Sequence, residues 1–324
     1  MGRLREWRAT QRLASDLAAK ALGTQPYFAS GRYGEMLHPL RTWLAEAEAG
    51  LAPEHDVTLE LRFRLAAALR ATGAVAESGE QAALVVAARE RLGSSQTLVQ
   101  AWVLHADALD RVGRHDEAAE AWAGLTTLAD SDDDRRALTR VSQARRAAAL
   151  CHAERFGEAE AEVHQLLQSA AGTPGPAGAA VRLSALILLS AALTGQGRPV
   201  EAESAARQGL VVAASEGGSA PSAETDSHVL QVNLAAALTA QGRHHEALDV
   251  LAAAPVPAQV TAETAAATAI VEARALLALG RRDDAARTLR AALPAAEQFF
   301  GPDHTRLHEL RALLARADGV VGHA

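Results

Sequence analysis

Apolar residues recur along this chain at helical spacing, in segments separated by breaks rich in glycine, proline and serine. Stretches in which apolar and polar residues alternate are too few for a β-sandwich or a β-barrel of this size. One segment, Tyr33 to Ala49, shows the pattern well, because its apolar side chains fall on one side and Gly50 and Pro53 follow it. The same pattern predicts further helices over Arg3 to Leu22, Val75 to Leu92, Leu98 to Val112, His115 to Ala129, Ala179 to Thr194, Pro199 to Ala214, Asp226 to Ala240, Thr261 to Leu279 and Arg282 to Phe299. It also predicts a helix that ends at about Thr72 and a closing helix that ends at about Ala317.

A short motif returns at a nearly fixed interval, and its clearest copy is Gly113-Arg114-His115-Asp116-Glu117-Ala118-Ala119. The position of its glycine recurs at residues 31, 73, 113, 154, 197, 242 and 280, with Glu154 in place of glycine in the fourth copy. Self-similarity at this period is typical of a helical solenoid. We therefore predict a cap helix and an incomplete first hairpin over residues 1–30, a repeat array over 31–300, and a capping helix and tail over 301–324.

Composition and charge narrow the functional classes. The net charge of −7 gives no surplus of basic groups for phosphate contacts, so we expect no nucleic-acid partner. Cys151 is the only cysteine, which excludes an internal disulfide and a zinc site built on thiolates and suits a reducing compartment. We find no run that approaches the ~18 apolar residues of a membrane span, and we expect a cytoplasmic protein with no membrane partner. Lys20 is the only lysine, a usage typical of GC-rich bacterial genomes.

The repeat resembles the tetratricopeptide repeat, in which a glycine fits the turn between two antiparallel helices and a small residue opens the second helix. Gly113 with Ala118, and Gly280 with Ala285, match these places. The longer period and the segments Asn233-Leu234-Ala235 and Phe300-Gly301-Pro302-Asp303-His304 resemble the kinesin-light-chain subtype found in actinobacterial proteins. This resemblance covers about residues 31 to 317 and implies an all-α, right-handed superhelix of helical hairpins. HEAT-type repeats have a similar period and are the alternative fold.

In tetratricopeptide arrays the first helix of each hairpin lines a concave groove. The resemblance places the residues thirteen, ten, nine and six before the motif glycine on that surface. In the first half of the chain these are Glu60, Phe63, Arg64, Ala67, Gln100, Val103, Leu104, Asp107, Val141, Ala144, Arg145 and Ala148. In the second half they are Ser184, Ile187, Leu188, Ala191, Val229, Val232, Asn233, Ala236, Ala267, Ile270, Val271 and Arg274. We predict that the groove binds ligand through Glu60, Phe63, Arg64, Gln100, Asp107, Arg145, Ser184, Leu188, Asn233 and Arg274.

Two details qualify this groove. Some relatives clamp a terminal carboxylate with a fixed set of polar residues, but the corresponding positions here are Phe63, Ala67, Leu104, Val141 and Arg145, and only Arg145 agrees. The resemblance therefore does not extend to that clamp. Asn233 matches a groove asparagine that in relatives bonds a peptide backbone. A hydrogen bond from Asn233 to the neighbouring repeat is an equally good interpretation.

No residue set in the sequence predicts catalysis or a metal site. His304 and His308 have a spacing that could hold zinc, yet His304 belongs to a lead-in motif shared with His55, which favours a packing role. Adjacent residues such as Cys151 and His152 do not face each other on a helix. The pair His244 and His245 is interpreted as a solvated turn, and Ser131-Asp132-Asp133-Asp134 as a solvated helix start without the spacing of a calcium loop.

From these observations we predict a non-catalytic scaffold that binds a protein or peptide in its groove and uses no cofactor. A groove with small walls and mixed chemistry suits a peptide that carries acidic and apolar side chains. Two alternatives stay open: an enzyme or accessory protein of a biosynthetic pathway that uses the groove as a substrate pocket, and a ligand-sensing regulator of a partner protein. A homodimer through exposed apolar residues near Ile187 and Val229 also stays open.

Overall fold

The computed structural model describes residues 2–93, 96–125, 132–171, 173, 175–216, 223–254 and 261–319. In these residues every regular element is a helix, so the all-α repeat fold predicted from the sequence is confirmed. The chain divides into two compact units, Met1–Val112 and Gly113–Ala324, here called unit 1 and unit 2. The predicted division into caps and array, and the handedness of a superhelix, stay predictions. Ser131 and the side chains of the acidic run that follows it lie outside the described residues.

Unit 1 consists of an N-terminal helical segment followed by repeat helices. Its α-helices are α1 (Gly2–Leu22), α2 (Gln25–Ala29), α3 (Leu37–Gly50), α4 (Asp56–Ala71), α5 (Val75–Leu92) and α6 (Gln96–Arg111), with a 3₁₀ helix over Tyr33–Met36 before α3. The short α2 was not predicted, because Pro26 was interpreted as a helix terminator although proline is well tolerated in a first turn. The core of this unit is formed where α1, α3 and α4 meet, around Leu17, Leu40 and Leu65.

Unit 2 is built in two layers. Its helices are α7 (His115–Gly124), α8 (Asp132–His152), α9 (Phe156–Ala171), α10 (Gly175–Gly195), α11 (Pro199–Glu216), α12 (Ala223–Ala240), α13 (His244–Ala253), α14 (Ala262–Ala278), α15 (Arg282–Phe299) and α16 (Thr305–Ala317). The first helices of successive hairpins, α8, α10, α12 and α14, pack against one another and form an inner layer, and α16 packs on α14. The second helices, α9, α11, α13 and α15, each pack between two neighbouring first helices or on the closing helix. The final buried layer combines α14, α15 and α16 around Leu276, Leu289 and Leu310.

The motif glycines occupy the turn within each hairpin, and all of them have positive φ. In the last copy Gly280 has φ of 75°, and the amide of Arg281 donates to the carbonyl of Leu276 at 2.9 Å, which is the bond of a Schellman helix end. Glu154, which replaces glycine in the fourth copy, is the one described non-glycine residue with positive φ, at 59°. The repeat register read from the sequence is therefore the register of the backbone.

In every copy of the motif except the one at Gly73, which is followed by Ala74, an arginine comes next and forms an ion pair with the acidic residue three positions later. Arg198 bonds both carboxylate oxygens of Glu201, and Arg243 does the same with Glu246. Arg198 and Arg243 also reach the preceding repeat, since Arg198 bonds Glu160 at 2.8 Å and Arg243 bonds Glu203 at 2.7 Å. The recurring arginine and acid thus stabilise their own turn, and at Arg198 and Arg243 the arginine also connects it to the preceding repeat.

Helix α10 is more apolar than the sequence analysis recognised. Gly175–Gly195 is long and apolar enough to cross a membrane by length and composition, contrary to the expectation that no run approaches a span. In unit 2 this helix lies between α9 and α11 and also contacts α8 and α12. Of its most apolar 18 residues, 44% are buried. Packing on several sides accounts for its apolar composition, because a helix surrounded by partners has little polar face.

Candidate functional site

The inner layer of unit 2 surrounds a cavity of about 380 Å³, here called the central cavity. This volume lies in the range of small-ligand sites. Its walls come from all four inner helices and from the start of α16. The lining residues are Arg145, Ala148, Cys151, His152, Ile187, Leu188, Ala191, Thr225, Asp226, Val229, Val232, Asn233, Glu263, Thr264, Ala267 and Arg306.

A second depression of about 420 Å³ lies between α8 and α10 and is here called the α8–α10 cleft. It shares Arg145, Ala148, Ile187 and Leu188 with the central cavity, so the two form one continuous groove. Its other walls are mainly small or aliphatic. They are Arg140, Val141, Ala144, Leu166, Ala180, Val181 and Ser184.

Four of the predicted ligand-binding residues meet in this groove. Arg145 and Leu188 line both parts of it, Ser184 lines the α8–α10 cleft, and Asn233 lines the central cavity. Arg145 is exposed and makes no ion pair or hydrogen bond within the described residues. Asn233 donates from Nδ2 to the carbonyl of Ile187 and to the hydroxyl of Ser190, both at 2.9 Å. The bond to the neighbouring repeat is therefore present, and the carboxamide oxygen is the group left for a ligand.

The predicted residues of unit 1 are arranged differently. Arg64 bonds Glu60 at 2.6 Å and the hydroxyl of buried Thr24 at 2.7 Å. Asp107 accepts from Arg70 at 2.8 Å and also pairs with Arg111. Phe63 is half-buried and Gln100 is exposed. The structure brings these residues into no common cavity with one another among the described residues, and their charged groups already have partners.

Arg274 pairs with Glu309 of α16 and does not line the groove. In its place the structure brings in polar groups that the sequence analysis missed. Thr225 and Asp226 on α12 occupy positions seventeen and sixteen before Gly242, and Glu263 and Thr264 on α14 occupy the same positions before Gly280. These residues lie one helical turn before the predicted groove positions, so a prediction extended by one turn would have included them. The carboxylate of Glu263 accepts from Arg306 at 2.8 Å, which the sequence could not indicate.

Cys151 in the wall of the cavity is not an activated nucleophile. Burial raises the pKa of its thiol to about 12, and nearby Arg306 offsets this only in part. A thiol with that pKa stays protonated near neutral pH, whereas nucleophilic cysteines have a lowered pKa. Cys151 therefore contributes a small apolar side chain to the wall of the cavity.

A cluster of three histidines lies beside the cavity. The ring centroids of His115 and His304 are 4.9 Å apart, and each lies 5.2 Å from the ring of His152. His115 and His304 are buried, at 6% and 1% exposure. His308, whose spacing from His304 could have held zinc, is exposed, and the rings beside His304 come from α7 and α8.

His304 also has the structural role expected from its lead-in motif. Its Nδ1 accepts the amide of Arg306 at 3.1 Å and caps α16, as Nδ1 of His55 accepts the amide of Val57 and caps α4. The ring of Phe300 lies 4.0 Å from that of His304. The motif therefore caps a helix in both places, and at His304 the ring also packs against Phe300.

Comparison with protein-family models and with curated protein sequences finds no match. Among solved structures, a tetratricopeptide repeat protein from Parabacteroides merdae is similar with a TM-score of 0.65 and 11% identity, covering 95% of this chain and 99% of that one. The apo form of the quorum sensor NprR from B. thuringiensis is similar with a TM-score of 0.55 and 13% identity, covering 89% of this chain and 84% of the sensor.

A putative kinesin light chain from Podosopora anserina with TPR-like repeats matches over 74% of this chain and 93% of its own, at 20% identity and a TM-score of 0.38. That score is too low to support the subtype, so the kinesin-light-chain resemblance and the actinobacterial origin stay predictions. The assignment of the fold rests on the two matches with TM-scores of 0.65 and 0.55. The chain thus has the α-solenoid fold of tetratricopeptide repeat proteins.

Proposed function

We propose that this protein is a non-catalytic binding protein whose unit 2 groove holds a short extended peptide with a carboxylate and apolar side chains. A protein-interaction role agrees with the tetratricopeptide fold, and the chemistry of the groove defines the partner further. Proteins of this fold serve many functions, so the site must carry the argument.

The single observation that carries the proposal is the position of Arg145. This arginine lies where the central cavity joins the α8–α10 cleft and has no ion-pair partner among the described residues. A guanidinium group binds a carboxylate through two parallel hydrogen bonds, a bidentate geometry that few other ligand groups match. An acidic group of the ligand is therefore expected at this junction.

The walls around Arg145 favour a peptide over a more compact ligand. Ile187, Leu188 and Val229 provide apolar surface on either side of the junction, and the two depressions together give a continuous groove. The carboxamide oxygen of Asn233 can accept a hydrogen bond from a peptide amide, since its nitrogen is already bonded to α10. Apolar pockets with a few placed polar groups are the usual design of such sites.

The test is fluorescence anisotropy with labelled peptides of one apolar sequence that differ only in charge. One peptide carries a glutamate and a free terminal carboxylate, and its matched partner carries glutamine and a terminal amide. The acidic peptide is expected to bind, and Arg145→Gln should weaken its binding at least tenfold, about 1.4 kcal/mol. The control is Arg287→Gln, which changes an exposed arginine of α15 that lies outside the groove.

Equal binding of the neutral peptide, or binding that Arg145→Gln leaves unchanged, would contradict the carboxylate assignment. If no peptide binds, the peptide proposal fails. The alternative of a small-molecule substrate pocket would then be tested with the same two variants.

A second candidate is a sensor that changes conformation when the groove is filled, and the similarity in fold to a quorum sensor suggests it. Within unit 2 the turn at Gly113 lies against the backbone of Asp303, so the unit closes on itself around the cavity. A ligand that bridges α8 and α12 would bias that closure. Hydrogen exchange at the start of α16 with and without bound peptide distinguishes a sensor, in which exchange changes, from a static scaffold.

A further inference from the structure

We propose that His115, His152 and His304 form a binding site for a divalent transition-metal cation of the zinc class. Each histidine offers one ring nitrogen, and the three nitrogens all lie within 4.8 Å of one another. Tetrahedral zinc bound by imidazole at 2.0 to 2.1 Å needs nitrogens about 3.3 Å apart. Small rotations of the side chains would bring the three rings to that spacing.

The donor set selects the class of cation. Three imidazole nitrogens with no carboxylate or carbonyl ligand suit zinc, nickel or copper and do not suit magnesium or calcium, which require oxygen ligands. His152 also lines the central cavity, so water or a ligand in the cavity can reach the remaining coordination position. Three protein ligands with one open position is the usual arrangement of an accessible zinc site.

The three histidines come from distant parts of unit 2. His115 begins α7, His152 ends α8, and His304 precedes α16, so the cluster joins residues as far as 189 positions apart in the chain. A methyl group at Gly113 would lie 2.6 Å from the carbonyl oxygen of Asp303, which shows how closely these two turns pack. A bound cation would cross-link the first and last hairpins of the unit at this contact.

The rings of His304 and His115 have hydrogen-bond partners, since Nδ1 of His304 accepts the amide of Arg306 and Nε2 of His115 lies 3.5 Å from the hydroxyl of Thr305. The bond at His304 gives the proposal a specific signature. Nδ1 of His304 accepts the amide of Arg306, so in the metal-free neutral ring the proton is on Nε2. When a cation takes Nε2, the neutral ring carries its one proton on Nδ1 instead, and Nδ1 can no longer accept the amide of Arg306. The cap of α16 is then weakened. Zinc should therefore link His304 to His115 of α7 and His152 of α8, and the amide of Arg306 should lose its hydrogen bond to His304.

The experiment is isothermal titration of the full chain, freed of metal with a chelator, with zinc near neutral pH. We expect one ion per chain and at least a tenfold loss of affinity in His115→Ala, His152→Ala and His304→Asn. Asparagine is a good helix N-cap, so the last variant keeps the start of α16 while it removes the imidazole. The controls are His245→Ala and His308→Ala, which change exposed histidines outside the cluster.

Two measurements on the unmodified chain keep the test decisive even if a variant fails to fold. X-ray absorption of the zinc-loaded chain should show three imidazole ligands, and amide exchange at Arg306 should become faster with zinc. No zinc binding, fewer than three imidazoles at the ion, or binding that persists in the cluster variants would overturn the proposal.

Discussion

The two units use the same repeat positions for different purposes. In unit 1 the charged groove residues are engaged within the unit, since Arg64 joins Glu60 to buried Thr24 and Asp107 accepts from Arg70. In unit 2 the corresponding Arg145 is exposed beside a cavity and has no partner among the described residues. A groove position therefore indicates where a side chain lies, and the surrounding residues decide whether it is available to a ligand.

The difference has a local cause. In unit 1 the segment after α1 places Thr24 beside α4, and α1 packs on α3 and α4. In unit 2 the inner helices α8, α10, α12 and α14 follow one another and leave a cavity between them. Four predictions test this contrast, from the largest expected effect to the smallest.

The largest effect is expected at Gly113 of unit 2 compared with Gly31 of unit 1. Both have positive φ, but a Cβ at Gly113 would meet the backbone of Asp303, whereas nothing lies within 4 Å at Gly31. Gly113→Ala should lower the free energy of unfolding of unit 2 by about 2 to 5 kcal/mol, and Gly31→Ala should lower that of unit 1 by about 1 to 2 kcal/mol. Segment-resolved hydrogen exchange in denaturant measures both. Equal losses would refute the close packing at Gly113.

Next in size is the pair Arg64→Met and Arg145→Met. The side chain of Arg64 is 14% exposed. Its removal leaves the carboxylate of Glu60 without this partner and removes the hydrogen bond that buried Thr24 accepts, so unit 1 should lose about 1 to 3 kcal/mol of stability. Arg145→Met removes no such bond and should stay within about 0.5 kcal/mol. Urea unfolding of both variants checks this. A larger loss in Arg145→Met would show that its side chain is structural.

Replacing Glu154 in unit 2 should increase stability. This exposed glutamate is in the left-handed region at φ of 59°, where the other six motif positions carry glycine. Glu154→Gly should raise the free energy of unfolding by about 1 kcal/mol, because glycine adopts this conformation without steric strain. Thermal unfolding beside the control Glu54→Gly, at an exposed position of unit 1, measures the effect. A decrease in stability would contradict the assigned turn.

The smallest effect concerns acid. A hydrogen bond from Gln196, then one from Arg198, lowers the pKa of Glu160, and Gln241 and Arg207 lower the pKa of Glu203. The stability that these carboxylates contribute is present above their ordinary pKa near 4.5 and is lost as the pH falls through the lowered values. Unit 2 should lose about 0.5 kcal/mol for each glutamate, and the double variant Glu160→Gln/Glu203→Gln should lose that pH dependence. The measurement is the free energy of unfolding as a function of pH. The same pH dependence in the double variant and the unmodified chain would show that these contacts contribute nothing.

Much of the fold could be predicted from particular residues. Val75–Leu92 and Arg282–Phe299 begin and end where the sequence placed them, since glycine turns and apolar periodicity are local signals. Helix α10 begins four residues before the predicted Ala179, because Gly175 and Pro176 were interpreted as a connector. At the candidate site the groove positions of α8, α10 and α12 were found, whereas Asp226, Glu263 and Arg306 were missed.

The sequence by itself determined the repeat register, the helices and the surface on which Arg145 and Asn233 lie, because each depends on contacts within one hairpin or between adjacent hairpins. Only the tertiary structure decided that Arg64 is engaged by Thr24, that the inner helices enclose a cavity, and that His115, His152 and His304 meet. Small changes in the packing of each hairpin accumulate along a solenoid. Contacts between residues far apart in the chain depend on that sum, which no local pattern records.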